Sequence, residues 1–124
     1  MKKILLAASV LACILAGCKT ASAPTPVAPG YVTAAEQSVG ETIAGANAVV
    51  LKYEADVKAG TYVPTAAMKT AVSDIQKALG IADPLATAWH TALVANSAAA
   101  EPAALSSAVS TINANINTLP KVAQ

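Results

Sequence analysis

The chain has 124 residues, a length that allows one small domain. Hydrophobic residues make up 55% of it and charged residues 12%, the net charge is +1, and Phe and Arg are absent. This composition excludes a nucleic-acid-binding surface, which needs clustered basic residues, and a disordered tail driven by charge repulsion. Alanine supplies much of the apolar fraction, so the mean hydropathy of +0.52 does not by itself indicate a membrane protein.

The N-terminal residues have the order of an export signal. Lys2 and Lys3 form a positive region, residues 4–14 are uncharged and apolar, and Leu15-Ala16-Gly17-Cys18 follows directly. The apolar run is too short for a membrane span but has the length of a signal-peptide core. In charge, order and spacing, residues 1–18 resemble the signal peptide and lipobox of bacterial lipoproteins.

That resemblance implies cleavage between Gly17 and Cys18, a diacylglycerol thioether on Cys18 and acylation, for instance with palmitate, of the new N-terminus. Two or more acyl chains anchor a protein stably. Lys19 stands where Asp tends to retain lipoproteins at the inner membrane, so the resemblance favours the outer membrane if the source is a diderm. An ordinary secretory signal with a chance cysteine is the alternative.

A proline-rich linker follows the expected lipid site. Residues 18–30 contain Pro24, Pro26 and Pro29 and offer little to bury, which predicts an extended tether that lifts a domain off the membrane. Residues 31–119 are predicted to form one helical domain, and residues 120–124 a short C-terminal tail.

The domain begins with a long predicted helix over residues 33–59. Thr33 and Glu36 have the spacing of a capping box, and Gly60 is placed to end the helix. Two seven-residue rows form one apolar seam. These rows are Val32, Val39, Ala46 and Tyr53, and Glu36, Ile43, Val50 and Val57.

Three further helices are predicted after it. The second starts at Thr65, or at the residue before Pro64, and ends at Gly80, while Asp83-Pro84 starts the third and Glu101-Pro102 the fourth. The last turns of the fourth are rich in Asn, a poor helix former. The seams are Met68, Val72, Ile75 and Leu79 for the second, Leu85, Trp89, Ala92 and Leu93 for the third, and Leu105, Val109, Ile112, Ile116 and Leu119 for the fourth.

The predicted fold class is all-α: a small antiparallel bundle of three to four helices after the signal peptide and linker. Short loops favour antiparallel neighbours, with two helical hairpins as the structural alternative. The first helix is expected to be nearly twice as long as the second and third. The charge-free stretches 84–100 and 102–120 are too rich in polar residues to be membrane spans.

Catalytic chemistry finds little support in the sequence. His90 is the only histidine, and Asp83 is the only carboxylate near it in the sequence. A haem held by His90 and Met68 is a weak alternative, because the usual expectation for this histidine is a surface or half-buried position beside Trp89. Glu54 and Asp56 are two residues apart on a helix and therefore point to different faces. No catalytic residue, metal ligand or cofactor is predicted, and the chain is expected not to be an enzyme.

Large and small side chains instead indicate packing surfaces. Trp89 and Tyr53 are expected to be core anchors rather than a ligand platform. Gly40, Ala44 and Ala48 place small residues every four positions along the first helix, which would let another helix approach closely, either within the bundle or from a second subunit.

The function predicted from these features is that of a small lipid-anchored cell-envelope protein with a non-enzymatic structural or protein-interaction role. Its expected contacts are the membrane, through Cys18, and a helical protein partner or a second copy of itself, but not nucleic acid. The alternatives are a phage-lysis lipoprotein, since outer spanins are also small lipoproteins with Pro-rich segments, and a small-ligand or haem-binding bundle.

Overall fold

The structure is a computed structural model that describes residues 27–119. It contains three helices, α1 (Ala34–Lys58), α2 (Ala66–Ala95) and α3 (Ala103–Ile116), and each contacts the other two. No strand is present within residues 27–119, and the predicted all-α helical bundle is confirmed. The expected signal peptide, Cys18, the linker before Val27 and the tail lie outside the described residues.

Both ends of α1 are closed by the residues that the sequence indicated. The Thr33 side chain accepts a hydrogen bond of 3.1 Å from the backbone N–H of Glu36. At the other end Gly60 has a φ of +75°, and the N–H groups of Gly60 and Thr61 donate to the carbonyls of Val57 and Asp56. This pair of bonds is a Schellman motif, which requires the left-handed residue that glycine provides.

The predicted break between a second and a third helix is wrong, because α2 runs without interruption from Ala66 to Ala95. Thr65 is its N-cap, as expected, and its side chain accepts from the N–H of Met68 over 3.2 Å. Gly80 does not take a positive φ, so it does not end the helix, and Asp83 is not an N-cap. Pro84 therefore lies inside a helix, where it lacks the N–H that would bond one turn back.

This merger changes the relative lengths of the helices. At 1.5 Å per residue, the 30 residues of α2 span about 45 Å and the 25 residues of α1 about 37 Å. The expectation that the first helix would be the longest is wrong. Within residues 27–119 no helix has the length and apolarity needed to cross a membrane.

The third helix ends before Leu119, the last residue of its predicted seam, within the Asn-rich turns that the sequence marked as weak. Pro102 is its N-cap, close to the predicted start, but the helix ends at Ile116 rather than Leu119. The N–H of Thr118 and that of Leu119 each donate to a carbonyl three residues earlier, so the chain tightens into turns there. Asn115 and Asn117 also direct side-chain N–H groups at carbonyls four residues back, a competition that weakens a helix end.

The core lies along one face of each helix and follows the predicted seams closely. Ile75, Leu93, Leu105 and Ile112 are the largest fully buried side chains, and α2 packs more extensively on α3 than on α1. Several alanines are also buried. The buried apolar residues of α1 are Val39, Ile43, Ala46, Val49, Val50 and Tyr53, and the buried alanines elsewhere are Ala71, Ala78, Ala82 and Ala108.

Candidate functional site

Glu36 is a charged residue buried on the apolar seam of α1. Only 6% of its surface is exposed, and it lies in the same seven-residue row as Ile43 and Val50. A carboxylate in such a position needs partners, since burying an unpaired charge is costly. Two groups from different parts of the chain contact it.

One partner of the Glu36 carboxylate lies just before α1, and the other lies in α2. Its Oε2 accepts a hydrogen bond of 2.6 Å from the backbone N–H of Val32, just before the N-cap. Its Oε1 is in contact with Nδ1 of His90, near the C-terminal end of α2. The carboxylate thus joins α1, α2 and the residues that precede α1.

The pKa of Glu36 is set by opposing effects. Burial raises it, whereas the hydrogen bond from Val32, the hydrogen bond and positive charge of His90 and the backbone of Thr33 lower it. The lowering effects prevail, and the pKa lies below the usual value of 4.5. Glu36 is therefore held as a carboxylate, the form that accepts both hydrogen bonds.

The residues that precede α1 are fixed to the bundle at several points. In this pre-helix segment (residues 27–33), the N–H of Ala28 donates to Oε1 of Gln37 over 2.9 Å. The Tyr31 ring lies against Gly40, where a methyl group would come within 2.5 Å of the tyrosine oxygen. Together with the bond from Val32 to Glu36, these contacts attach the pre-helix segment to α1.

A small cavity of about 280 Å³ lies beside the Glu36–His90 pair. Its lining includes Tyr31, Gly40 and Trp89, and the His90 side chain is 42% exposed. The arrangement offers one carboxylate and one imidazole, which already contact each other. Within residues 27–119 no group of three or more His, Cys, Asp or Glu residues is placed to bind a metal ion.

The structure does not bring together His90 and Met68, the pair considered for a haem. Both residues lie on the uninterrupted helix α2, 22 positions apart, which separates them by about 33 Å along its axis. The sulfur of Met68 accepts from the N–H of Thr65, and His90 contacts Glu36. The pairing was conceivable only while a helix break between them was expected.

The other acidic residues considered from the sequence lie apart from this site. Asp83 is exposed on α2, and the described contacts of His90 lead to Glu36 instead. Glu54 accepts from the side chain of Gln76 over 2.9 Å, and Asp56 forms an ion pair of 2.7 Å with Lys52. These contacts are structural links on the bundle surface.

Trp89 and Tyr53 are buried, as expected of core anchors. Trp89 is 4% exposed and its indole N–H donates to the carbonyl of Ala99 over 3.1 Å, which fastens the loop after α2. The Tyr53 ring lies 6.0 Å from that of Tyr62, between centroids, in a tilted arrangement. Trp89 and Glu36 both line the small cavity, so the two buried side chains lie in the same part of the bundle.

The small-residue strip on α1 does not admit a helix of the bundle. Gly40 is covered by Tyr31 from the pre-helix segment, while Ala44 and Ala48 are exposed. Of the two alternatives left open for this strip, the structure does not show packing within the bundle, because the neighbour of Gly40 is the Tyr31 ring.

A second concave surface, which the sequence did not indicate, lies between α2 and α3. It has a volume of about 520 Å³. Helix α2 contributes Asp74, Lys77, Ala78 and Ile81 to it. Helix α3 contributes Ala104, Ser107, Ala108 and Thr111, at the same i, i+3, i+4, i+7 spacing. We refer to this surface as the α2/α3 groove.

Comparison with known proteins adds no relative: no family model matches the chain, and no significant match was found among curated proteins or among solved structures.

Sequence reasoning also missed the Glu36–His90 contact. Its two members are 54 positions apart, so no local spacing connects them. A signal was nevertheless present, because Glu36 occupies a row that is otherwise apolar and a buried carboxylate requires a donor. The only histidine of the chain was the natural candidate for that donor.

Proposed function

We propose that this chain is a small lipid-anchored protein of the cell envelope with a structural or protein-interaction role and no enzymatic activity. The observation that carries the proposal is the sequence Leu15-Ala16-Gly17-Cys18 after a positive and then an apolar stretch. Cys18 would carry the lipid and become the first residue of the mature chain. The outer membrane is the proposed location in a diderm host.

The polar residues of the bundle support a structural role. Glu36 contacts Nδ1 of His90 and accepts from the backbone N–H of Val32. Here the same groups join two helices and the pre-helix segment.

The pre-helix segment also bears on the length of the tether. Ala28 is the first described residue with a hydrogen bond to α1, and we take residues 19–27 before it as the connection between Cys18 and the bundle. At about 3.1 Å per residue in an extended proline-rich form, these residues would reach about 28 Å. The bundle would thus be held near the membrane by the end at which α1 begins.

We further infer that α1 and α2 run antiparallel. Glu36 at the start of α1 contacts His90 near the end of α2, and Glu54 near the end of α1 contacts Gln76 in the first half of α2. Contacts whose positions fall on one helix as they rise on the other are those of antiparallel neighbours. The α1–α2 loop, in which Val63 is 88% exposed, would then lie at the end of the bundle opposite the start of α1.

Labelling with a palmitate analogue in a bacterial host tests the anchor. The full chain and its Cys13→Ser variant are expected to incorporate the label and to be shortened at the N-terminus. The Cys18→Ser variant is expected to do neither. Cys13 is the matched control because it lies in the same apolar region, five residues earlier.

Label on the Cys18→Ser variant, or loss of label in the Cys13→Ser variant, would contradict the proposed site. Processing of the full chain without any label would indicate an ordinary secretory signal instead.

A further inference from the structure

The α2/α3 groove is a concave surface that the Glu36–His90 site does not use. Its floor is formed by the methyl groups of Ala78 and Ala108, which are 4% and 5% exposed. Ile81 lines it and is 50% exposed, a large apolar side chain left at the surface. Small residues on the floor let another chain approach closely, and Ile81 gives that chain an apolar contact.

The groove also carries one acid and one base. Asp74 and Lys77 are three residues apart on α2, on the face that α3 flanks. The ion pairs found within residues 27–119 are Lys52–Asp56 and His90–Glu36. Neither Asp74 nor Lys77 therefore has an ion-pair partner in the part of the chain that the structure describes. Helix α3 itself contributes no charged residue.

We propose that the α2/α3 groove binds the same groove of a second copy of this chain, in a two-fold symmetric dimer. In such an interface every contact between two different residues occurs twice, once in each direction across the symmetry axis. The surface must therefore be complementary to itself. An acid and a base side by side meet this condition: with the two α2 helices antiparallel across the axis, each Lys77 lies beside Asp74 of the other copy.

Ile81 lies one turn beyond Lys77 on the same face of α2, so its exposed side chain would be covered at the edge of the same interface. A partner of uniform charge would leave either Asp74 or Lys77 opposed to a like charge. A second copy pairs both residues at once, which favours it as the occupant.

This inference rests on the proposed interaction role and deepens it by naming the partner. The dimer is independent of the lipid on Cys18, because no residue of the groove lies in the N-terminal region. Labelling at Cys18 and dimerisation are measured separately, so each proposal can fail while the other holds.

Charge reversal tests the pairing directly. The full chain, purified in a mild detergent, is studied by density-matched sedimentation equilibrium. Asp74→Lys and Lys77→Asp each place two pairs of like charges across the interface, and each is expected to weaken the dimer about tenfold or more. The double variant, Asp74→Lys with Lys77→Asp, restores opposite charges and is expected to dimerise like the unaltered chain.

Mixing the two single variants gives a sharper readout. The Asp74→Lys chain presents two lysines and the Lys77→Asp chain two aspartates, so a mixed dimer has opposite charges at both contacts. A tagged Asp74→Lys chain is expected to capture the Lys77→Asp chain more strongly than it captures an untagged Asp74→Lys chain. A change of fold in either variant would not produce this preference, and circular dichroism checks that helix content is kept.

Replacing the exposed apolar side chain of Ile81 provides a second, independent test. Ile81→Ser is expected to weaken the dimer, whereas Val94→Ser, on the same helix and 67% exposed but outside the groove, is expected to leave it unchanged.

Three results would overturn the proposal. They are a full chain that remains monomeric up to about 100 μM, a dimer insensitive to both charge reversals, and a dimer weakened as much by Val94→Ser as by Ile81→Ser.

Discussion

At the start of α1, the Glu36 carboxylate meets the backbone N–H of Val32 on one oxygen and His90 on the other. Such a group stabilises the fold only while it is ionised and both partners are in place, since a buried carboxylate without donors costs free energy. The single residue thereby links the entry of the chain into the bundle to the packing of α2 on α1.

The lowered pKa of Glu36 makes stability depend on pH. A carboxyl group whose pKa is lower in the folded than in the unfolded chain contributes stability above the unfolded value, about 4.5, and loses it as pH falls through the folded value. We expect the free energy of unfolding, measured by urea titration, to fall on acidification below about pH 5. Glu36→Gln should lower stability at neutral pH and make this fall shallower.

Glu41→Gln is the matched control for that experiment. Glu41 lies on the same helix, is exposed, and accepts from the side chain of Gln37. Its variant should keep the acid sensitivity of the unaltered chain. Equal acid sensitivity in the Glu36→Gln chain would show that the lowered pKa does not contribute to folding stability.

Gly40 and Gly45 make a second test at the residue scale. Both lie inside α1, but a Cβ at Gly40 would come within 2.5 Å of Tyr31, whereas one at Gly45 has nothing within 4 Å. Gly45→Ala should raise the free energy of unfolding by about 0.5–1 kcal/mol through helix propensity. Gly40→Ala should not, because the Tyr31 ring would have to leave its place.

A double-mutant cycle locates the cause of that difference. In a Tyr31→Ala background the clash is gone, so Gly40→Ala should recover a gain similar to that of Gly45→Ala. If Gly40→Ala stabilises the unaltered chain as much as Gly45→Ala does, the contact between Tyr31 and Gly40 is not formed in solution.

Among the elements, α2 shows most clearly where local signals and tertiary packing disagree. Gly80 followed by Asp83-Pro84 has the residues of a helix end and a new start. The structure continues the helix instead, with Ala78, Leu79 and Ala82 buried around this point. The parts of α2 before and after Pro84 then bury their apolar faces on the same side of one helix. This packing outweighs the free-energy cost of a proline inside a helix.

Substitutions at Gly80, Asp83 and Pro84 distinguish one continuous helix from two helices. The two cases predict changes of opposite sign in the free energy of unfolding. In a continuous α2, Gly80→Ala should raise the free energy of unfolding by about 0.5–1 kcal/mol, and Pro84→Ala by about 1–3 kcal/mol. Asp83→Ala should be neutral or slightly stabilising. If Asp83 capped a separate helix, its loss would instead cost about 1 kcal/mol.

Gly60→Ala is the internal standard for the same thermal or urea measurements. Gly60 has a φ of +75°, so an alanine there should destabilise the fold by about 1 kcal/mol. A Gly80→Ala variant that loses as much stability as Gly60→Ala would contradict the continuous helix.

The limits of prediction from sequence follow from the range of each interaction. The seam of α1, the caps at Thr33 and Thr65 and the end at Gly60 were predictable, because spacing within a few residues determines them. The continuity of α2 was not, since it depends on which faces of α1 and α3 are available. The contact between Glu36 and His90 spans 54 positions and required the bundle itself.

On the scale of the whole molecule, the proposal combines an anchor, a connection and a folded domain. A lipid on Cys18 would hold the chain at a membrane, residues 19–27 would connect it to the bundle, and the contacts of the pre-helix segment would fix the orientation of the bundle on that connection.

Intact mass spectrometry of the chain isolated from bacterial membranes tests the central claim most directly. The account predicts a mass that begins at Cys18, without residues 1–17, increased by a diacylglycerol group and an amide-linked acyl chain. The Cys18→Ser chain should keep residues 1–17 and carry neither addition. A full chain recovered without lipid, whether intact or cleaved at another position, would contradict the claim that this bundle is a lipid-anchored protein.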